Sequence, residues 1–376
     1  MNFGHSHPKI TAAIKKQLDK ATHSGFLDFY SELPVRFAEN LVSFLPYPLK
    51  RVFLSNSGTE SIEAAMKLAR YHTRRKYFMS FFSSFHGRTY GSLSLTMAKK
   101  IHKEGFGPFL DVIHVPYANP YRCYFENDHE DCTDEIIGHI EDVVFKKEVD
   151  PDNVAAIFSE PIQGEGGYVI PPKRFLPAIK KLCEKYGILY CDDEVQAGNF
   201  RTGKFLASEN FGVKPDVVSM SKALDGGIPL GATISSDKIM DWPRASHANT
   251  WGGNFIACSA GLAALDLMKD KNLGKNVVKK GNYILKRLEE WEGKYEIIGH
   301  VRGIGLMIGI EFVKNKDTKE PAVKERDKIL WNSFKNGLAL LGAGESVIRI
   351  APPLIIGYED IDTSLEILEK SIKSVL

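Results

Sequence analysis

Val217-Val218-Ser219-Met220-Ser221-Lys222-Ala223-Leu224-Asp225-Gly226-Gly227 carries a short apolar run into a lysine and then into a glycine-rich turn. A lysine that ends a buried strand is poorly solvated. Loss of solvent disfavours the ammonium form, so the free amine becomes available to attack a carbonyl and form a Schiff base. Taken alone, such a lysine more often lies exposed and merely closes a strand. The rest of the chain decides between the two.

Similar apolar runs recur at Arg51-Val52-Phe53-Leu54-Ser55, Tyr77-Phe78-Met79-Ser80-Phe81-Phe82, Val154-Ala155-Ala156-Ile157-Phe158 and Gly187-Ile188-Leu189-Tyr190-Cys191. Runs this apolar are buried on both faces, which predicts an α/β fold: a mostly parallel sheet covered by helices on both faces. In such sheets function gathers where strands end. Thr59 to Arg70 reads as a helix with Ile62, Ala65, Met66 and Ala69 on one stripe, acids early and bases late. Pro171-Pro172 opens a second helix that runs to about Lys185. From Asn272 the pattern changes to long charged helices and a hairpin-like segment from Tyr295 to Phe312. The expected division is an N-terminal segment 1–30, a large domain 31–271 and a smaller C-terminal α/β domain 272–376.

The chain of 376 residues is 43% hydrophobic and 26% charged, ordinary for a globular enzyme, and disorder is not expected. With 49 Lys plus Arg against 47 Asp plus Glu, the net charge of +2 gives no broad basic field for nucleic acid or an anionic membrane. Small molecules and another copy of the chain remain as partners. The five cysteines form no C-x-x-C pair, and no secretory or membrane-spanning stretch is present, so a soluble protein of the reducing cytoplasm is expected. No metal site is expected. His5 and His7 read as loop polarity, and the tract Glu126-Asn127-Asp128-His129-Glu130-Asp131-Cys132 as a solvated loop. Gly303-Ile304-Gly305 lacks the third glycine of a dinucleotide loop, and no G-x-x-x-x-G-K-[ST] is found.

Four other segments sit at strand ends. Ser55-Asn56-Ser57-Gly58-Thr59-Glu60 opens the first helix; the amides of Gly58 and Thr59 suit a phosphate, and the segment equally suits an ordinary capping box. Tyr190-Cys191-Asp192-Asp193-Glu194-Val195-Gln196 places three carboxylates in a row, costly unless a cation such as a protonated ring nitrogen meets one of them. Phe85-His86-Gly87-Arg88 offers a flat aromatic and a guanidinium suited to a carboxylate. Glu160-Pro161-Ile162-Gln163-Gly164-Glu165-Gly166-Gly167 is a tight glycine loop with two carboxylates. Phosphate cradle, stacking ring, pyridinium partner and imine-forming amine together describe pyridoxal 5'-phosphate.

With these segments, and with Gly4-His5-Ser6-His7-Pro8, Thr250-Trp251-Gly252-Gly253-Asn254 and Arg349-Ile350-Ala351-Pro352-Pro353-Leu354, nearly the whole chain resembles the class III aminotransferases of fold type I, most of all those named 4-aminobutyrate aminotransferases. The resemblance implies that Lys222 binds the cofactor as a Schiff base and moves a proton from the substrate Cα, while Asp193 pairs with the ring nitrogen. It further implies that Gln196 reaches the ring hydroxyl, Phe85 stacks on the ring, and Gly58 and Thr59 hold the phosphate, with His86 and Glu160 also at the cofactor. Thr250 is expected at the phosphate of the neighbouring subunit, so that the site needs a homodimer or a dimer of dimers. Arg349 is implied for a substrate α-carboxylate, Glu165 for neutralising it when that carboxylate is lacking, and Arg88 for a distal carboxylate. The chain departs from the family's pattern in having Phe200 where Gly is common and Phe255 where Pro is usual. It also begins directly at the Gly-His-Ser-His-Pro segment, which a longer stretch usually precedes.

The function implied is transfer of an amino group from an amine or amino acid, 4-aminobutyrate-like or another ω- or α-amino donor, to a 2-oxo acid such as 2-oxoglutarate. Two alternatives stand beside it: an amino-acid racemase or epimerase of the same family, and a protein that binds the cofactor without turnover.

Overall fold

The computed structural model describes residues 2–46, 48–125 and 131–376. Seven strands form the larger sheet: β1 (Arg51–Ser55), β2 (Tyr77–Phe81), β3 (Val112–Val115), β4 (Val154–Ser159), β5 (Leu189–Asp193), β6 (Val217–Met220) and β7 (Gly231–Ser235). Their order is β1-β7-β6-β5-β4-β2-β3. From β6 to β3 every pair is parallel, and β7 runs antiparallel to both of its neighbours. The expected mixture of a mostly parallel sheet and covering helices is therefore what forms.

Alternation along these strands feeds two cores. Phe78, Phe158, Leu189 and Cys191 face the helix Gly58–Thr73, meeting Ile62, Ala65, Met66 and Ala69. Met79, Phe81, Ile157 and Tyr190 face the helix Phe175–Tyr186, meeting Phe175, Leu176 and Ile179. Each fully buried side chain of this size contributes about 1.5–3 kcal/mol relative to exposure. Burial on both faces is why the strands read as unbroken apolar runs. Gly187 ends the second helix in a left-handed conformation (φ 62°), which moves the start of β5 to Leu189. β3 and β7 escaped the sequence reading because Val112-Ile113-His114-Val115 is short and Gly231-Ala232-Thr233-Ile234-Ser235 is built largely of small residues.

The C-terminal part carries an antiparallel four-stranded sheet ordered β10-β11-β9-β8, formed by β8 (Ile298–Ile304), β9 (Met307–Phe312), β10 (Leu341–Ala343) and β11 (Val347–Ile350). The hairpin-like segment is the β8–β9 pair, turned at Gly305 (φ 58°). Helices Leu273–Lys294, Val323–Lys335 and Tyr358–Lys373 accompany it. One apolar cluster runs without a break from Phe3 and Ile10 through Leu230 and Leu265 to Ile310 and Ile372. Of the acidic tract, 126–130 lie outside the described residues; Asp131 pairs with the half-exposed Arg174 at 2.5 Å. Among the described residues no helix is long and apolar enough to cross a membrane.

The carboxyl ends of β1, β2, β4, β5 and β6 lie along one edge of the sheet, since β7, antiparallel to both β1 and β6, leaves those two running the same way. That edge gathers the segments around Gly58, Phe85, Glu160, Asp193 and Lys222.

Candidate active site

A cavity of about 670 Å³ opens between this edge and the C-terminal sheet, and Phe85, Glu165, Gln196, Lys222 and Arg349 line it. Its size suits a cofactor with a substrate. The far wall is aliphatic: Leu338, Leu340, Leu341, Ile361 and Leu365.

Lys222 follows β6 by two residues and holds a left-handed backbone conformation (φ 47°), uncommon for a residue with a Cβ. By surface area the residue is exposed, and it lines the cavity. The protein crowded around the amine governs its charge. Burial lowers the ammonium pKa below the ordinary lysine value, while Asp193 and then Glu160 pull upward. This is the weakened hold on a proton that the apolar run before Lys222 predicts.

Asp193 ends β5 and is almost wholly buried. Its Oδ2 lies 2.7 Å from Nδ1 of His86, and its Oδ1 accepts a hydrogen bond from the Val195 amide at 3.1 Å. Two donors leave acceptor capacity on a carboxylate for one more partner. His86 itself is buried and touches Asp193 rather than lining the cavity. The neighbouring acids of the triplet point elsewhere. Asp192 and Glu194 are fully buried; burial pushes Asp192 well up and brings Glu194 up to about 7, with the Ser208 amide donating to Glu194 Oε1 at 2.9 Å. The costly row of three carboxylates is thus resolved by strand alternation and partial neutralisation.

Glu160 also stands behind the cavity. One oxygen accepts from the Phe85 amide at 2.9 Å and the other from the Gly164 amide at 2.8 Å, so it ties two site loops together. Burial raises its pKa to about 7, against the pull of His86. At the start of the helix Gly58–Thr73, Ser57 caps the Glu60 amide at 3.2 Å. The amides of Gly58 and Thr59 belong to the first turn, where no intrahelical acceptor exists, so a cap and an anion site coexist here. A Cβ on Gly58 would come within 2.8 Å of Val195 Cγ1, and this close approach brings the helix start against the turn after Asp193.

Arg349, on β11, reaches Glu165 Oε1 at 3.0 Å and Gln196 Oε1 at 3.5 Å. Arg88 is exposed, its guanidinium 5.8 Å from the Phe85 ring centre. Thr250 is exposed and outside the cavity of its own chain, beside Asn249, which accepts from Asn56 Nδ2 at 3.3 Å. Among the lining residues that went unnoticed in the sequence are Tyr168, Arg201 and Asn2. Tyr168 holds a left-handed φ of 52°; Arg201 is buried on the carbonyls of Pro352 and Leu306; Asn2 accepts from Arg201 Nη2 at 2.7 Å. The glycine pair before Tyr168 was the one available signal for it.

First-turn amides for an anion, a flat ring, a buried carboxylate with acceptor capacity to spare and an amine that sheds its proton readily fit an aldehyde cofactor with a phosphate tail and a basic ring nitrogen. The protein is an enzyme of the fold type I pyridoxal-phosphate class. The aminotransferase class-III family model matches residues 1–372, and the chain belongs to that family, a pyridoxal-phosphate-dependent transaminase family. It is 39% identical to the leucine/methionine racemase of Thermococcus litoralis, covering 100% of this chain and 84% of that protein. It is 36% identical to the probable 4-aminobutyrate aminotransferase of Bacillus subtilis, covering 100% and 87%. The solved structure of taurine:2-oxoglutarate aminotransferase from Bifidobacterium kashiwanohense, in complex with PLP and glutamate, superposes with a TM-score of 0.92 at 31% identity, over 100% of this chain and 86% of that one.

Proposed function

We propose that the protein moves an amino group from an amine or amino acid, with 4-aminobutyrate among the candidate donors, to a 2-oxo acid such as 2-oxoglutarate. The observation that carries this reading is the Arg349–Glu165 pair of 3.0 Å in the same cavity as Lys222. With an amine or ω-amino donor, a two-substrate cycle must accept one partner with an α-carboxylate and another without it, and an arginine masked by a movable carboxylate serves both.

When bound, pyridoxal phosphate supplies the electron sink that makes a substrate Cα–H bond acidic. Lys222 takes that proton on its amine, which burial keeps ready to accept it. Asp193, oriented by His86 and the Val195 amide, would hold a proton on the ring nitrogen. The Gly58 and Thr59 amides would hold the phosphate, with Phe85 and Gln196 at the ring. Glu160 acts through its grip on the Phe85 and Gly164 amides. Arg349 takes the α-carboxylate and Arg88 a distal one. We further propose that Thr250 completes the phosphate site of a second copy, in a homodimer or a dimer of dimers. Its own exposure and that of Trp251 (59%), Phe29 (71%) and Tyr30 (91%) support an unfilled contact face. The odd cysteine count supports a cytoplasmic setting.

A second reading is favoured by one finding: the 39%-identical relative from Thermococcus litoralis is a racemase. Racemisation requires a proton to be delivered to the opposite face of Cα from the one that lost it. Incubating the enzyme with one L-amino acid and no oxo acid separates the two. Stoichiometric conversion of the cofactor to its amine form supports amino transfer, and catalytic appearance of the D-isomer overturns it.

A further inference from the structure

The carboxylate of Glu165 touches two cations. Its Oε1 meets Arg349 at 3.0 Å, and its Oε2 lies 3.8 Å from the ammonium of Lys99. Glu165 and Arg349 are about four-fifths covered, whereas the Lys99 side chain is 38% exposed. Lys99 lines a neighbouring cavity of about 640 Å³ whose wall includes Gly166, the residue after Glu165. The acid therefore stands between two compartments with a cation in each direction.

A substrate carboxylate that takes Arg349 strips Glu165 of its nearest partner. A carboxylate so largely covered cannot lose its counter-ion without a penalty, and that penalty falls on substrate binding. A second cation already within 4 Å removes it, provided the acid turns from Oε1 contact with Arg349 toward Lys99. His102, whose ring packs edge-on against Phe85 with centroids 5.5 Å apart, cannot substitute. Burial foremost, then Arg88, lowers its pKa and disfavours the charged form. We propose that Lys99 is a positioning residue for substrate choice: it receives Glu165 whenever Arg349 binds an α-carboxylate, and so favours carboxylate-bearing substrates over plain amines. The inference rests on Arg349 being the carboxylate site.

The test uses the enzyme with pyridoxal phosphate bound. Calorimetric titration with butyrate, an unreactive monocarboxylate, reports carboxylate binding without turnover. Lys99→Gln is expected to weaken butyrate about five-fold, the upper range for a partly exposed ion pair, and Lys99→Arg to restore it. KM should rise similarly for an amino acid but stay unchanged for an amine with no carboxylate. Lys100→Gln removes an equal charge from a more exposed neighbour paired with Glu104, and is expected to change nothing. In a Glu165→Gln background the Lys99→Gln effect should vanish, since the acid through which Lys99 acts is gone. Equal weakening by Lys100→Gln, persistence of the effect without Glu165, or wild-type protein that takes up no butyrate each overturns the proposal. Absence of amino transfer would instead sink the functional reading, and the calorimetric comparison remains readable in that case.

Discussion

The proposed chemistry turns on Lys222, and its environment sets how much it matters. Replacing it with alanine removes the proton-transferring amine while leaving the neighbouring carboxylates. Single-turnover conversion of the cofactor by an amino acid is expected to fall by at least about 10²–10⁴. Lys222→Ala protein with wild-type turnover would remove the residue from the mechanism. Glu194 offers a second test at this scale, on stability. Its pKa is raised in the folded state to about 7 from 4.5, chiefly by burial. A raised carboxyl lends stability that is fully present below about pH 4.5 and is lost as pH climbs through 7. Glu194→Gln removes that dependence, and its amide can still donate to Asp192, which Glu194 already meets through its side chain. Between pH 6 and pH 8 the variant should therefore gain about 1 kcal/mol on the wild type, read from urea midpoints. Parallel curves would show that this carboxyl does not titrate as described.

Among the elements, the departures from the family's pattern find local explanations. Phe200 sits at φ 64°, a left-handed position where glycine is comfortable. Its ring is held edge-on against Phe44 and Phe205, at 6.2 and 5.7 Å between centroids. Phe200→Gly relieves backbone strain of about 1–2 kcal/mol but gives up aromatic packing worth more, about 3–5 kcal/mol for a fully buried ring. With the ring half-buried, a net loss of about 1 kcal/mol is expected in thermal unfolding; a gain would show that strain dominates. Phe255 occupies the first position of the helix Phe255–Met268, where proline is also suited. Its amide donates to the Thr22 carbonyl at 3.0 Å, a tie to the N-terminal segment that proline cannot make. Strands buried on both faces were legible because burial leaves a continuous apolar signature. β3 and β7 were not: one is a short edge strand, and the other packs small residues close beneath the helix start, where Gly231 lies against Ser55 and Ser57.

For the molecule as a whole, the segments around Gly58, Asp193 and Lys222 were readable because they close a strand or open a helix and leave a local pattern, whereas the roles proposed for Gln196, His86, Glu160 and Thr250 came through family resemblance. The substrate side was not readable. Arg201, Tyr168 and Leu338 to Leu341 are brought together by the docking of the C-terminal sheet, which no short stretch of chain encodes. Arg349 was reached only through family resemblance. The same holds for assembly. If exposed Trp251, Phe29 and Tyr30 meet a second copy, Trp251→Glu should shift sedimentation toward the monomer and weaken retention of the cofactor with it. A monomer that keeps wild-type affinity for pyridoxal phosphate would separate Thr250 from the phosphate.

Glu160 has both carboxyl oxygens committed, one to the amide of Phe85 and one to the amide of Gly164. The loop that carries Phe85 and the loop that carries Glu165 are consequently a single mechanical unit. An engineer who grafts one of them from a relative to alter specificity inherits a mismatch at the other, and the two should be transplanted together with the acid that clasps them.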